Sequence, residues 1–143
     1  MTSHRSTAFY FILLLALVFM LFSLVSCSGG IDTDEAKAFI GDFFEAVADG
    51  DYEKAETFLH PERSSDLDMF FSAVESSEGL DFQEGIVIEK YVGFSYTYYS
   101  TVIGGSAYEL TMETKVGERE VVFVIEIVQN DNGYGIYHLD IEP

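Results

Sequence analysis

The chain contains no tryptophan, two prolines, three histidines, a single cysteine and only seven Lys plus Arg in 143 residues. Each shortage removes a class of chemistry. Cys27 has no second thiol with which to close a disulfide. With no thiolate cluster and so few imidazoles, a zinc site would need mostly carboxylates, an unusual ligand set for that ion. The seven cations face 25 Asp plus Glu, a formal net charge of −18, which repels nucleic acid and anionic lipid surfaces. No P-loop, dinucleotide fingerprint or nucleophile elbow is present. Asn130-Asp131-Asn132-Gly133 lacks the alternating ligands and distal glutamate of a calcium-binding EF-hand loop, and reads as a turn. No metal or cofactor is therefore expected. The acidity permits cationic partners or divalent ions, but its plainer meaning is solubility, or adaptation to a salty medium that screens it.

What the chain does have, at its start, is one long apolar stretch. Arg5 with His4 gives a short basic beginning, residues 8–22 form an unbroken apolar run, and Ser23 to Ser26 make a small-residue exit before Cys27. The run has the length of a signal-peptide core and falls short of the ~20 residues of a full membrane span. Leu24-Val25-Ser26-Cys27 resembles the lipobox of prokaryotic lipoproteins. The resemblance implies that residues 1–26 are cut away and that the Cys27 sulfur carries diacylglycerol. It also implies a location at the extracytoplasmic face of a cell membrane. The alternative is an uncleaved N-terminal anchor, since residues 8–25 nearly cross a tilted bilayer. Two acyl chains hold a protein stably at a membrane where one does so only marginally. Ser28-Gly29-Gly30 reads as a short flexible tether within residues 27–31, and Ser28 is not the aspartate of an enterobacterial inner-membrane retention signal. Processing at Cys27 takes away Arg5 and no acid. It leaves 117 residues with six Lys plus Arg against 25 Asp plus Glu, near −19, a size suited to one domain over residues 32–143.

Within that domain the apolar period changes once. Asp32, with Glu35 three residues on, resembles a helix-capping box, and Ala36, Phe39, Ile40, Phe43, Phe44 and Val47 recur at helical spacing. The spacing predicts a helix over about 33–49, with Asp42, Glu45 and Asp49 on a solvated face. Gly50 ends it and Asp51 caps a second helix with Tyr52, Ala55, Phe58 and Leu59 inward, stopped by Pro61. A third is expected from Ser65, through Leu67, Phe70, Phe71 and Val74. From Ile86 the period is two: Ile86, Ile88, Val92, Phe94, Tyr96 and Tyr98 alternate, with Gly93 as a candidate bulge. Tyr108, Leu110, Met112, Thr114 and Val116 form a second strand, and Val121 to Val128 is apolar enough to be central. The Asn/Asp/Gly turn then leads into Tyr134 to Ile141.

Helices followed by hairpin-linked strands predict an α+β fold, with N-terminal helices packed on a curved antiparallel sheet of about four strands. Gly50-Asp51-Tyr52-Glu53-Lys54-Ala55 opening the second helix, and the closing Gly133-Tyr134-Gly135-Ile136-Tyr137, resemble NTF2-like (cystatin-like) cone domains, in which tryptophan often stands at the place of Tyr134. That resemblance implies a sheet curled around a pocket. Val92, Phe94, Tyr96, Tyr98, Tyr108, Leu110 and Met112 are the expected lining, with His138 and Asp140 within possible reach. Some relatives of this type are isomerases or dehydratases that need a pocket carboxylate and a tyrosine donor. No family catalytic motif matches here, so no catalytic residue is assigned. Three roles stay open. The first is a non-enzymatic domain binding a protein or small molecule through the concave face. The second is an enzyme with Asp140 or His138 as base, one of them in the cavity within hydrogen-bond reach of a tyrosine. The third is a structural envelope protein whose cavity is filled by its own side chains.

Overall fold

A computed structural model describes residues 32–142. Cys27, the apolar run and the tether lie outside the described residues. Helix α1 (Thr33–Ala48) begins where Asp32 Oδ1 accepts the Asp34 and Glu35 amides at 2.9 and 3.0 Å. That satisfies two donors left free at the helix start. Its apolar stripe buries Ala36, Ile40, Phe43, Phe44 and Val47, while Asp42, Glu45 and Asp49 face solvent. Gly50 takes a φ of +69° and Asp51 caps the short α2 (Tyr52–Glu56). Helix α3 (Leu67–Glu78) starts two residues after Ser65, because Asp66 caps it by accepting the Met69 amide at 2.8 Å. A 3-10 turn (Phe82–Glu84), unannounced by the periodicity, places Phe82 in the core.

Four antiparallel strands follow: β1 (Ile86–Ser100), β2 (Gly105–Val116), β3 (Arg119–Asn130) and β4 (Gly133–Glu142), in the order β1-β2-β3-β4. The expected α+β layout is thus an open four-stranded sheet with its helices on one face. The continuously apolar β3 is interior, as its sequence indicates. Tyr108, Leu110, Met112, Thr114 and Val116 alternate into the core opposite Ile127, Ile125, Phe123 and Val121. Over them the helices lay a set of phenylalanines. Phe71 meets Phe82 edge-on at 4.9 Å, and Phe44 meets Phe123 at 4.8 Å. Such edge-to-face contacts add to what burial alone contributes.

β1 departs from simple alternation. Its register with β2 shifts between Ile88 and Lys90 and again between Tyr91 and Gly93. Each shift inserts one residue, so the inward row runs Ile86, Ile88, Tyr91, Phe94, Tyr96 in place of an unbroken period of two. Tyr91, not Val92, pairs with Met112. Val92 falls at the bulge beside Gly93, and two inserted residues restore the original phase, which hides the excursion from a pattern search.

The two open edges differ. Beside β4, His60 N donates to Ile136 O and Ile136 N to Phe58 O, both at 2.8 Å, so residues 58–60 run alongside that edge. Gly135 permits this approach, because a Cβ there would lie 2.6 Å from the His60 nitrogen. The β1 edge has no such cover among the described residues.

Candidate functional site

The long helix fixes which end of the sheet can hold a site. Thr33, in its first turn, meets Tyr108 near the start of β2, whereas Phe44 meets Phe123, which pairs with Met112 further along. α1 therefore begins at the end carrying the β1–β2 and β3–β4 turns and stops short of covering β1 there. The uncovered space is an open cleft of about 290 Å³ lined by Thr33, Lys37, Tyr91, Val92, Gly93, Phe94, Tyr108 and Leu110. It is at the small end of ligand pockets, which span about 300–1,000 Å³. Tyr108 Oη donates to Thr33 Oγ1 at 3.2 Å, and Lys37 Nζ sits 4.7 Å above the Tyr91 ring. Burial, and secondarily Tyr108, holds the Tyr91 hydroxyl above its ordinary pKa. Among the described residues that line the cleft, Lys37 is the cation and Tyr91 and Tyr108 carry hydroxyls beside apolar side chains, which suits a planar or apolar guest.

The expected lining is divided by the fold. Val92, Phe94, Tyr108 and Leu110 border the cleft, while Met112 is fully buried in the core. Tyr96 and Tyr98 continue along β1 beyond it and are 41% and 67% exposed; Phe94 is 77% exposed. Phe94 and Tyr96 flank the Tyr108 ring at 6.5 and 6.0 Å, so an aromatic row leads from the cleft toward the hairpin end. Thr33, Lys37, Tyr91 and Gly93 are additions. Tyr91 had no signal in the alternation, because it stands three residues from both Ile88 and Phe94 and is inward only through the two bulges.

His138 and Asp140 belong elsewhere. They pair with Glu126 and Val124, on the sheet face opposite the helices, and both are exposed. Asp140 Oδ1 takes the Ile141 amide at 3.0 Å. His138 borders a separate cleft of about 250 Å³ with Arg63, Ser64, Ser65 and Tyr137. By register, Tyr96 and Tyr108 lie on the other face, so the arrangement does not bring together the acid–tyrosine pair that an isomerase reading requires. Among the described residues no group of three or more His, Cys, Asp or Glu could hold a metal ion.

A second polar constellation braces this end. His60 is 1% exposed; its Nε2 lies 3.0 Å from Asn130 Oδ1 and 3.2 Å from Gly133 O, and its Nδ1 accepts the Glu62 amide at 3.1 Å. Two acceptors on one nitrogen and a donor on the other describe the neutral tautomer protonated at Nε2. Asn130 Nδ2 then donates to Glu62 Oε2 and to Ile103 O, both at 2.9 Å, and Asn132 Nδ2 to Glu62 Oε1 at 2.9 Å. Hydrogen bonds from Asn130 and then Asn132, with the neighbouring Arg63, hold the Glu62 carboxyl below its ordinary pKa despite some opposing desolvation. The network ties the β3–β4 turn to the β1–β2 turn. Nearby, burial and then Glu35 push the Tyr134 hydroxyl up to about 12, and its oxygen is buried without a hydrogen-bond partner among the described residues. The ring packs edge-on against Phe39 at 4.9 Å.

The chain matches no protein-family model, no curated protein and no solved structure.

Proposed function

We propose that the chain is a lipid-anchored, extracytoplasmic domain of the NTF2-like cone type, and that it binds a partner without catalysing a reaction. The observation that carries the binding role is the uncovered aromatic side of β1 and β2. A protein near −19 leaves Phe94, Tyr96 and Tyr98 exposed beside a cleft, where solubility alone would favour charge. Contiguous exposed apolar surface of this kind marks interaction sites in soluble domains. The anchor is supported by the lipobox-like Leu24-Val25-Ser26-Cys27 after its apolar run. Among the described residues no helix is long and apolar enough to cross a membrane. The placement of His138 and Asp140 on the sheet face opposite Tyr96 and Tyr108 supports binding over isomerase chemistry.

The test is Cys27→Ser in the natural host, followed by cell fractionation and mass measurement of the product. Release from the membrane, or accumulation of uncut precursor, is expected. Unchanged membrane association of a normally processed product sinks the anchor. Native mass spectrometry of the wild-type domain then asks whether the cleft retains a small molecule.

A further inference from the structure

The hairpin end is unlike the rest of the surface. Residues 91–108 carry no charged side chain, whereas the next-longest such stretch of the described chain, 132–139, is eight residues. Within 91–108 the structure exposes Val92, Phe94, Tyr96, Tyr98 and, at the turn, Val102, which is 92% exposed. Tyrosine on an apolar body with a polar tip is the side chain that settles at membrane–water interfaces.

Position strengthens the case. Thr33 touches Tyr108 at the root of this hairpin end, and Cys27 is only six residues before Thr33. Whatever path those residues take, they span at most ~20 Å. From the Tyr96–Tyr108 pair to the Ser100–Gly105 pair the strands run ~10–13 Å further, in the direction from which α1 begins. A membrane tie at Cys27 therefore holds the uncharged aromatic end within reach of the bilayer surface. A short connection also makes the second contact intramolecular, with an effective concentration in the millimolar range, so a weak contact is populated.

We infer that the end of the β1–β2 hairpin rests in the headgroup layer of the membrane to which the chain is tied, with Phe94, Tyr96, Tyr98 and Val102 at the interface. The inference rests on the proposed anchoring; an uncleaved apolar run would place residue 27 at the surface equally well. The preferred surface is electrically neutral, because Asp32, Asp34, Glu35, Glu62 and Asp131 flank the same end and oppose anionic headgroups. Pairing of β1 with a second copy is the less fitting occupant. Three register irregularities interrupt β1, and bulged edges resist strand addition.

Absence of tryptophan supplies the experiment. Tyr98→Trp and Val102→Trp each introduce a lone indole at the hairpin end, and Glu118→Trp introduces one at the opposite turn. Each full-length processed protein is reconstituted in phosphatidylcholine vesicles with and without bromine on the acyl chains. The expected result is blue-shifted emission at residues 98 and 102, quenched by brominated lipid several-fold more than at 118, and weakened when anionic lipid is added. Equal quenching at both ends overturns the orientation. No quenching in protein that still floats with the vesicles overturns the hairpin contact and leaves the anchor standing. Protein that neither floats nor is quenched overturns both. A blue shift that grows with protein concentration and ignores bromine assigns the surface to a second copy and overturns the membrane contact. Agreement between the two hairpin variants separates any local misfolding from the effect.

Discussion

Phe71 and Phe94 are the same side chain in opposite settings, one 0% and the other 77% exposed. Phe71 belongs to the helix–sheet interior, ringed by Phe43, Tyr52, Phe70 and Phe82. Phe94 borders the cleft that α1 leaves open over β1, and its ring flanks that of Tyr108. Burial stabilises the first group by roughly 1.5–3 kcal/mol per large side chain. The second obtains little of this within the domain. The interior aromatics hold the fold; the proposed membrane contact is what would cover the hairpin aromatics.

The sharpest way to break that contrast is truncation. Phe71→Ala is expected to cost ~3–5 kcal/mol through lost burial and the cavity left behind, read as a lower urea midpoint for the domain. A cost near that of a surface change would show that the interior is loosely packed. Next in size is His60→Ala, which removes the side-chain partner of the Gly133 carbonyl and of the Glu62 amide and leaves Asn130 Oδ1 with only the Asn132 and Gly133 amides. Each buried group left unsatisfied costs ~1–3 kcal/mol. A loss of that order is expected in the same unfolding measurement, with altered NMR signals at Ile103, whose carbonyl depends on Asn130. Intact Ile103 signals would uncouple the brace from the hairpin end.

A smaller, pH-dependent effect comes from Glu62. Its folded-state pKa lies below the unfolded one. Its contribution is therefore complete above the unfolded pKa and is lost as pH falls through the folded pKa, where protonation removes the acceptors of Asn130 and Asn132. Amide shifts of Asn132 and Gly133 should titrate in acid below the ordinary glutamate range, and Glu62→Gln should abolish that titration. Persistence of the same transition in the variant would assign it to another carboxyl. The smallest stability effect belongs to the hairpin itself. Tyr98→Ser is expected to leave the unfolding midpoint within about 0.5 kcal/mol of wild type, while weakening vesicle contact. A large destabilisation would move Tyr98 into the structural set.

Much of the fold was legible because its signals are local. Asp32, Asp51 and Gly50 announce helix boundaries through side-chain and φ preferences that act within a few residues. The alternation from Tyr108 to Val116 states which side of β2 is dry. The site was less legible. Val92 reads as inward because two bulges cancel in phase over six residues, and only the register with β2 shows that Tyr91 takes the inward position. His138 and Asp140 look available to a tyrosine in sequence, yet β4 places them on the other side of the sheet. His60 gives no local hint, since its partners Asn130 and Gly133 are 70 and 73 residues away.

By itself the sequence determined the order of helices and strands, the faces they bury, the acidity of the surface and the lipobox-like stretch at Cys27. These follow from periodicity, capping chemistry and charge, which operate over a few residues or on the whole composition. Tertiary structure alone decided that α1 starts at the turn end of the sheet, that Met112 fills the core while Phe94 faces outward, and that a buried imidazole braces the hairpin. Those outcomes depend on which distant segments pack together, because the same tyrosine or phenylalanine serves as core or as contact surface according to whether a helix lies above it.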